Sequence, residues 1–178
     1  MKQKRTYVTL LLVLAILGLG IAYAAIQNVT LQINATVSET GSNEDIKVSF
    51  KSATTDGSTE GVTVNSGISA EGTLTANLSV KGLKKENDKA VVVYTIQNNE
   101  ADINAALSAP VVGTLTAEQQ KWLDVTAVLG GDSVEATKTQ TLTVTVSLKA
   151  TPATDADCSA ATLTNLAITT EASAKTNG

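Results

Sequence analysis

Apolar and polar residues alternate along most of the chain after residue 26, which is the pattern of a β-strand with one buried face. The most regular run covers residues 27–38, and its apolar positions share one face. These positions are Val29, Leu31, Ile33, Ala35 and Val37. The pattern predicts further strands at residues 46–50, 74–80, 90–97, 103–107, 122–129, 142–148 and 163–170. Residues 90–97 are apolar on both faces at their start, which is typical of a central strand.

Turn-forming residues separate the predicted strands, as in Asp56-Gly57 and Gly130-Gly131-Asp132. One short helix is predicted over residues 117–122, because Thr116 can cap it and Gln119 follows at the capping-box spacing. About eight short strands with almost no helix predict an all-β fold. The expected architecture is a two-sheet antiparallel sandwich of jelly-roll or Greek-key type, preceded by an N-terminal apolar signal helix.

The first residues follow a different pattern, because Lys2, Lys4 and Arg5 precede a stretch without charge from Thr6 to Ser38. The small residues Ala22 and Ala24 end its most apolar part, residues 7–24, and Ala25 follows them. A basic start, an apolar run and small residues predict a secretory signal peptide, which signal peptidase would cut after Ala24. The alternative is an uncleaved membrane anchor, because an apolar helix of this length would span about 27 Å. In both cases the positive-inside rule places the rest of the chain outside the cytoplasm.

The sequence therefore predicts four segments. Residues 1–24 are the signal peptide, and residues 25–38 form an N-terminal strand that is a possible donor strand. Residues 39–170 form the β-sandwich domain, and residues 171–178 are expected to be a flexible tail.

The charge of the exported part excludes several classes of partner. Without Lys2, Lys4 and Arg5, ten of the 13 basic residues remain, all lysine, against 17 acidic residues, a formal charge of −7. An acidic chain without arginine argues against binding to nucleic acid. A membrane is expected to be a partner only through the N-terminal segment before cleavage. The 25 threonines after Ala24 support a strand-rich fold.

Catalytic and metal-binding chemistry is not indicated. The chain has no histidine, which excludes a histidine-based triad and a histidine-containing zinc site. Asp155 and Asp157 fit either a calcium site or, more simply, a solvated turn, and the single Cys158 fits either an isolated thiol or an intermolecular link. The sequence predicts no cofactor, no metal and no catalytic residue.

Four lysines are clustered where one turn is predicted. Lys81, Lys84, Lys85 and Lys89 are interleaved with Glu86 and Asp88. They fit either a solvated hairpin or a contact with a cell-wall polymer.

Residues 73–107 combine a strand, a lysine- and glycine-rich turn, a second strand at Val93–Asn98 and the segment Asp102–Leu107. This succession resembles the TasA and camelysin-like family of secreted bacterial matrix or surface proteins, as do the signal segment and the strand after it. The resemblance implies a jelly-roll domain at the cell surface or in a biofilm matrix. It also implies polymerisation, in which the N-terminal strand of one subunit completes the sheet of the next. Camelysin-like proteins have been classed as metallopeptidases, but this chain lacks the residues for zinc-peptidase chemistry, so that activity is not inferred.

The expected function is a secreted structural subunit of extracellular fibres that self-associates by strand donation, and not an enzyme. An uncharged strand with one apolar face suits addition to another sheet. Two alternatives stay open: residues 27–38 pair within their own sandwich, or the protein is a monomeric cell-surface module that binds wall polymer or carbohydrate.

Overall fold

The computed structural model describes residues 31–39, 47–68, 75–151 and 166–175 of the 178-residue chain. These residues form eleven strands and one short helix. The strands are β1 (Leu31–Glu39), β2 (Val48–Thr55), β3 (Thr63–Ile68), β4 (Thr75–Lys81), β5 (Lys89–Asn98), β6 (Ala105–Leu107), β7 (Val111–Val112), β8 (Leu123–Leu129), β9 (Ser133–Val134), β10 (Thr139–Leu148) and β11 (Leu166–Ala174). The helix is α1 (Ala117–Trp122). The predicted all-β class is confirmed.

The strands form two sheets that pack face to face. Sheet A has the order β3-β4-β1-β11-β6-β9, and β7 also pairs with β11. Sheet B has the order β2-β5-β10-β8, so the predicted central strand at residues 90–97 is indeed internal. All described strand pairs are antiparallel except the pair of β1 and β11, which run parallel. This departure from the expected antiparallel arrangement is possible because most of the sandwich lies between these two strands in the sequence and serves as their long connection.

The core lies between the two sheets and consists mainly of aliphatic side chains. Every second residue of β5 is buried from Ala90 to Asn98, and β10 shows the same alternation from Leu142 to Leu148. Sheet A contributes Ala76, Leu78, Val80, Leu166, Ile168 and Ala172. Phe50 and Tyr94 form an aromatic pair with ring centroids 5.5 Å apart. The period-2 pattern of the sequence thus produces two apolar faces that cover each other.

Helix α1 begins as the sequence predicts. The side chain of Thr116 accepts a hydrogen bond from the backbone N–H of Gln119, and the Gln119 side chain accepts one from the backbone N–H of Thr116. The helix ends at Trp122, as predicted, and the following strand begins at Leu123 rather than at Trp122, because Leu123 already has extended backbone angles. Within the described ranges no helix is long and apolar enough to span a membrane.

Two further differences concern the strands. Residues 171–174, expected to belong to a flexible tail, continue β11, because Ala172, Ser173 and Ala174 pair with β6. Strand β3 has no counterpart among the predicted strands; it forms along the outer edge of β4. The predicted signal peptide, its cleavage site and residues 176–178 lie outside the described residues.

Candidate assembly site

The candidate assembly strand β1 is paired along both of its edges. It runs antiparallel to β4, from Leu31 opposite Val80 to Thr36 opposite Thr75. It runs parallel to β11, from Ile33 beside Leu166 to Glu39 beside Ala172. The strand is therefore internal in sheet A, and it pairs within its own sandwich in this single chain.

The register brings the predicted apolar positions of β1 beside buried residues. Ile33 lies between Leu78 of β4 and Leu166 of β11, and both of these are buried. Ala35 lies between Ala76 and Ile168, which are 0% exposed. Leu31 is paired with buried Val80, and Val37 with buried Thr170. Directly cross-strand neighbours share one face of a sheet, so these register positions belong to the core side.

Val29 is the fifth position of the predicted assembly face, and it lies outside the described residues. The predicted cleavage residues Ala22, Ala24 and Ala25 also lie outside them. The same holds for Asp155, Asp157 and Cys158.

We use the term slot for the space that β1 occupies between β4 and β11. Strands in a sheet are about 4.8 Å apart, so the slot is about 9.6 Å wide between its two walls. Six register pairs join β1 to β4, and seven join it to β11. A strand in this position therefore satisfies backbone groups along both walls.

The β4 wall is held by elements other than β1. Strand β3 pairs with it along six register positions. From the opposite sheet, the hydroxyl of Tyr94 donates a hydrogen bond to the backbone carbonyl of Asn77, over 3.2 Å. Burial raises the pKa of this hydroxyl, so it stays protonated and remains a donor.

The β11 wall is also held from its far side. The hydroxyl of Thr170 donates to the carbonyl oxygen of Ser108 over 2.7 Å, and the backbone N–H of Glu171 donates to the Ser108 hydroxyl over 2.8 Å. The N–H of Gly113 donates to the carbonyl of Ala167 over 2.7 Å. Both walls are thus supported independently of the strand between them.

No protein-family model and no curated protein matches this chain. The resemblance to the TasA and camelysin-like family therefore rests on the sequence motifs alone. Those motifs fall on described elements: Val93–Asn98 ends β5, and Asp102–Leu107 ends in β6.

A second candidate site is an open groove of about 380 Å³ beside the edge strand β8. Its apolar lining comes from Val112, Leu115, Leu123 and Val125. Lys149 and Asp124 contribute charged groups. The described lining contains no aromatic side chain, which carbohydrate sites commonly use for stacking.

No metal centre is assembled in the described part of the chain. Within those ranges, no group of three or more His, Cys, Asp or Glu side chains could hold an ion.

The slot was not predictable as a site from the sequence. The sequence indicated β1 and its apolar face, but no local signal identified β11 as its parallel neighbour.

Proposed function

We propose that the protein is a secreted structural protein of the TasA and camelysin-like type, with a jelly-roll domain that forms extracellular surface or biofilm-matrix fibres. Each copy would place its N-terminal strand in the slot of the next copy. The observation that carries this proposal is the position of β1, which is the first described strand and yet is paired on both sides inside sheet A. A terminal strand with this position can leave without withdrawing any other strand.

Strand exchange would conserve most of the interactions that the strand makes within one chain. A second copy of β1 in the same slot would form the same register pairs with β4 and β11. Exchange of an identical element is a known low-cost route to assembly. Each aliphatic side chain buried in the slot contributes about 1.5–3 kcal/mol relative to an exposed strand, whether the strand comes from the same copy or from another.

The predicted export signal supports this role, because a fibre subunit of the surface or matrix must leave the cytoplasm. The lack of histidine and arginine in the exported part agrees with a structural role more than with catalysis or nucleic-acid binding. We propose no enzymatic activity, no cofactor and no partner other than further copies of the chain and, during export, signal peptidase.

Electron microscopy of the purified secreted chain tests fibre formation directly. Leu31→Asp with Ile33→Asp places two charges beside buried Val80, Leu78 and Leu166, and it should abolish fibres. The matched control is Gln32→Asp with Asn34→Asp, which adds the same charge at the alternate positions of the same strand. Fibres should persist in this control.

A chain that starts at Glu39 separates donation between copies from simple loss of a core strand. It should stay folded and monomeric, and it should bind a peptide of residues 27–38. The proposal fails if this chain cannot fold even with the peptide present, or if the full secreted chain never assembles.

The alternative function is a monomeric cell-surface module that binds wall polymer or carbohydrate. The groove beside β8 is the observation that favours it. Binding of soluble wall glycans to the monomer, lost in Leu115→Asp but kept in Val128→Asp on the exposed face of β8, would support this alternative.

A further inference from the structure

The connection between β4 and β5 has the opposite charge to the chain as a whole. Lys81, Lys85 and Lys89 are exposed there, and Lys84 is half-buried. The exported part has a net formal charge of −7, because its ten lysines face 17 acidic residues. A local concentration of four lysines is therefore a distinct surface.

One of the two interleaved acids is turned into the fold. Asp88 is only 4% exposed, and its Oδ2 accepts hydrogen bonds from the backbone N–H groups of Lys84, over 2.8 Å, and Lys85, over 3.0 Å. Its carboxylate is therefore used to hold the loop. Glu86 is the only exposed acid between residues 81 and 89.

The end of strand β10 is fixed against this loop. The backbone N–H of Asn87 donates to the carbonyl of Leu148, and the N–H of Leu148 donates to the carbonyl of Asp88, each over 2.8 Å. Lys149 follows, but its ammonium donates to the carbonyl of Gln120 over 2.7 Å beside the β8 groove, so it is not part of this surface. We use the term basic end for Lys81, Lys84, Lys85 and Lys89.

The loop that presents these lysines has a defined conformation. Leu83 is buried and anchors it in the core. Gly82 has φ +87°, and an added Cβ would lie 2.8 Å from the carbonyl oxygen of Gly61, so this close approach requires glycine. Fixed backbone positions lower the ordering cost of binding.

Three lysines of the basic end are not neutralised by ion pairs with acids in the described part of the chain. In the described part of the chain the salt bridges join Lys47 to Glu100 and Lys121 to Glu118. Lys81, Lys85 and Lys89 therefore have no ion-pair partner among the described residues.

We propose that the basic end binds a polymer whose repeating unit carries a phosphodiester. Lysine is a compact point charge, which suits successive phosphates on a flexible chain without a fixed bidentate geometry. The absence of arginine from the exported part makes planar, bidentate recognition unavailable. The net negative charge elsewhere repels a polyanion, so the protein binds end-on. Such binding does not require fibre formation.

Binding of poly(glycerol phosphate) to the monomeric secreted chain tests this proposal by titration at several salt concentrations. Lys81→Gln, Lys85→Gln and Lys89→Gln together should weaken binding by roughly 100-fold at low salt. They should also reduce the slope of log K against log salt by about two to three. Lys85→Gln alone should weaken binding by about fivefold.

The matched control is Lys51→Gln, Lys138→Gln and Lys175→Gln, which removes the same charge from exposed lysines elsewhere. The affinity of this control for poly(glycerol phosphate) should stay within about threefold of the affinity of the unchanged protein. An equal loss in both triple variants would overturn the proposal, as would absence of binding. Binding to phosphatidylglycerol vesicles but not to the polymer would assign the surface to lipid, and tighter binding to polygalacturonate would exclude phosphate recognition.

Discussion

The hydroxyl of Tyr94 and the backbone carbonyl of Asn77 form a hydrogen bond of 3.2 Å that joins the two sheets beside β1. Tyr94→Phe keeps the aromatic pair with Phe50 and removes only this donor. The free energy of unfolding should fall by about 1–2 kcal/mol, because a buried hydrogen bond is lost. Urea denaturation measures the change. Tyr94→Leu also removes the ring contact and should lose more; unchanged stability in Tyr94→Phe would show that the bond contributes nothing.

Stability should also depend on alkaline pH through Tyr94. Burial raises the pKa of its hydroxyl above the ordinary value of 10.0, so the unfolded chain loses this proton first. The contribution of the Tyr94 hydroxyl to the free energy of unfolding is complete below about pH 10, and it is lost progressively as the pH rises above that value. The stability advantage over Tyr94→Phe should be constant from about pH 7 to about pH 9 and should shrink by about pH 11. A constant difference across this range would contradict the prediction.

Thr137 has a positive φ of 63°, although it is β-branched. This conformation is strained for threonine and better tolerated by asparagine. Thr137→Asn should raise the free energy of unfolding by roughly 0.5–1 kcal/mol, and the backbone bond from Thr137 to the carbonyl of Glu100 should persist. Thermal unfolding measures this gain. Thr139→Asn is the control: Thr139 has no positive φ, so it should show no gain.

The two acids of the β4–β5 loop should differ in their effect on stability. Asp88→Ala removes the acceptor of two backbone N–H groups and should cost about 1–3 kcal/mol. Glu86→Ala changes an exposed side chain of the same loop and should alter stability by less than about 0.5 kcal/mol. Chemical denaturation compares the two variants, and equal losses would show that the Asp88 bonds do not stabilise the loop.

Much of the strand content was predictable because strict alternation leaves one apolar face per strand. The runs at residues 90–97 and 142–148 became β5 and β10 with small changes at their ends. The capping box of Thr116 and Gln119 located α1 to the residue. These signals are local, so they can be read from neighbouring positions in the sequence.

Features that depend on distant neighbours were not predictable. Residues 63–68 contain Gly67 and little apolar periodicity, and they form β3 because β4 offers a free edge. Strands β7 and β9 are two residues each, too short for a pattern. For the candidate site, the alternating face of β1 was predictable, but its parallel pairing of Ile33 with Leu166 joins strands far apart in the chain. No periodicity encodes that register.

The parallel pairing of β1 with β11 determines how the domain would bear mechanical load. If the chain is pulled before Leu31 and after Ala174, the two forces act in opposite directions along neighbouring strands. The load is then a shear that stretches all seven register pairs together, rather than a peeling force that breaks them one by one. Strand β4 holds the other edge of β1 against the same displacement. Tension along the chain is therefore resisted where the first and last described strands meet.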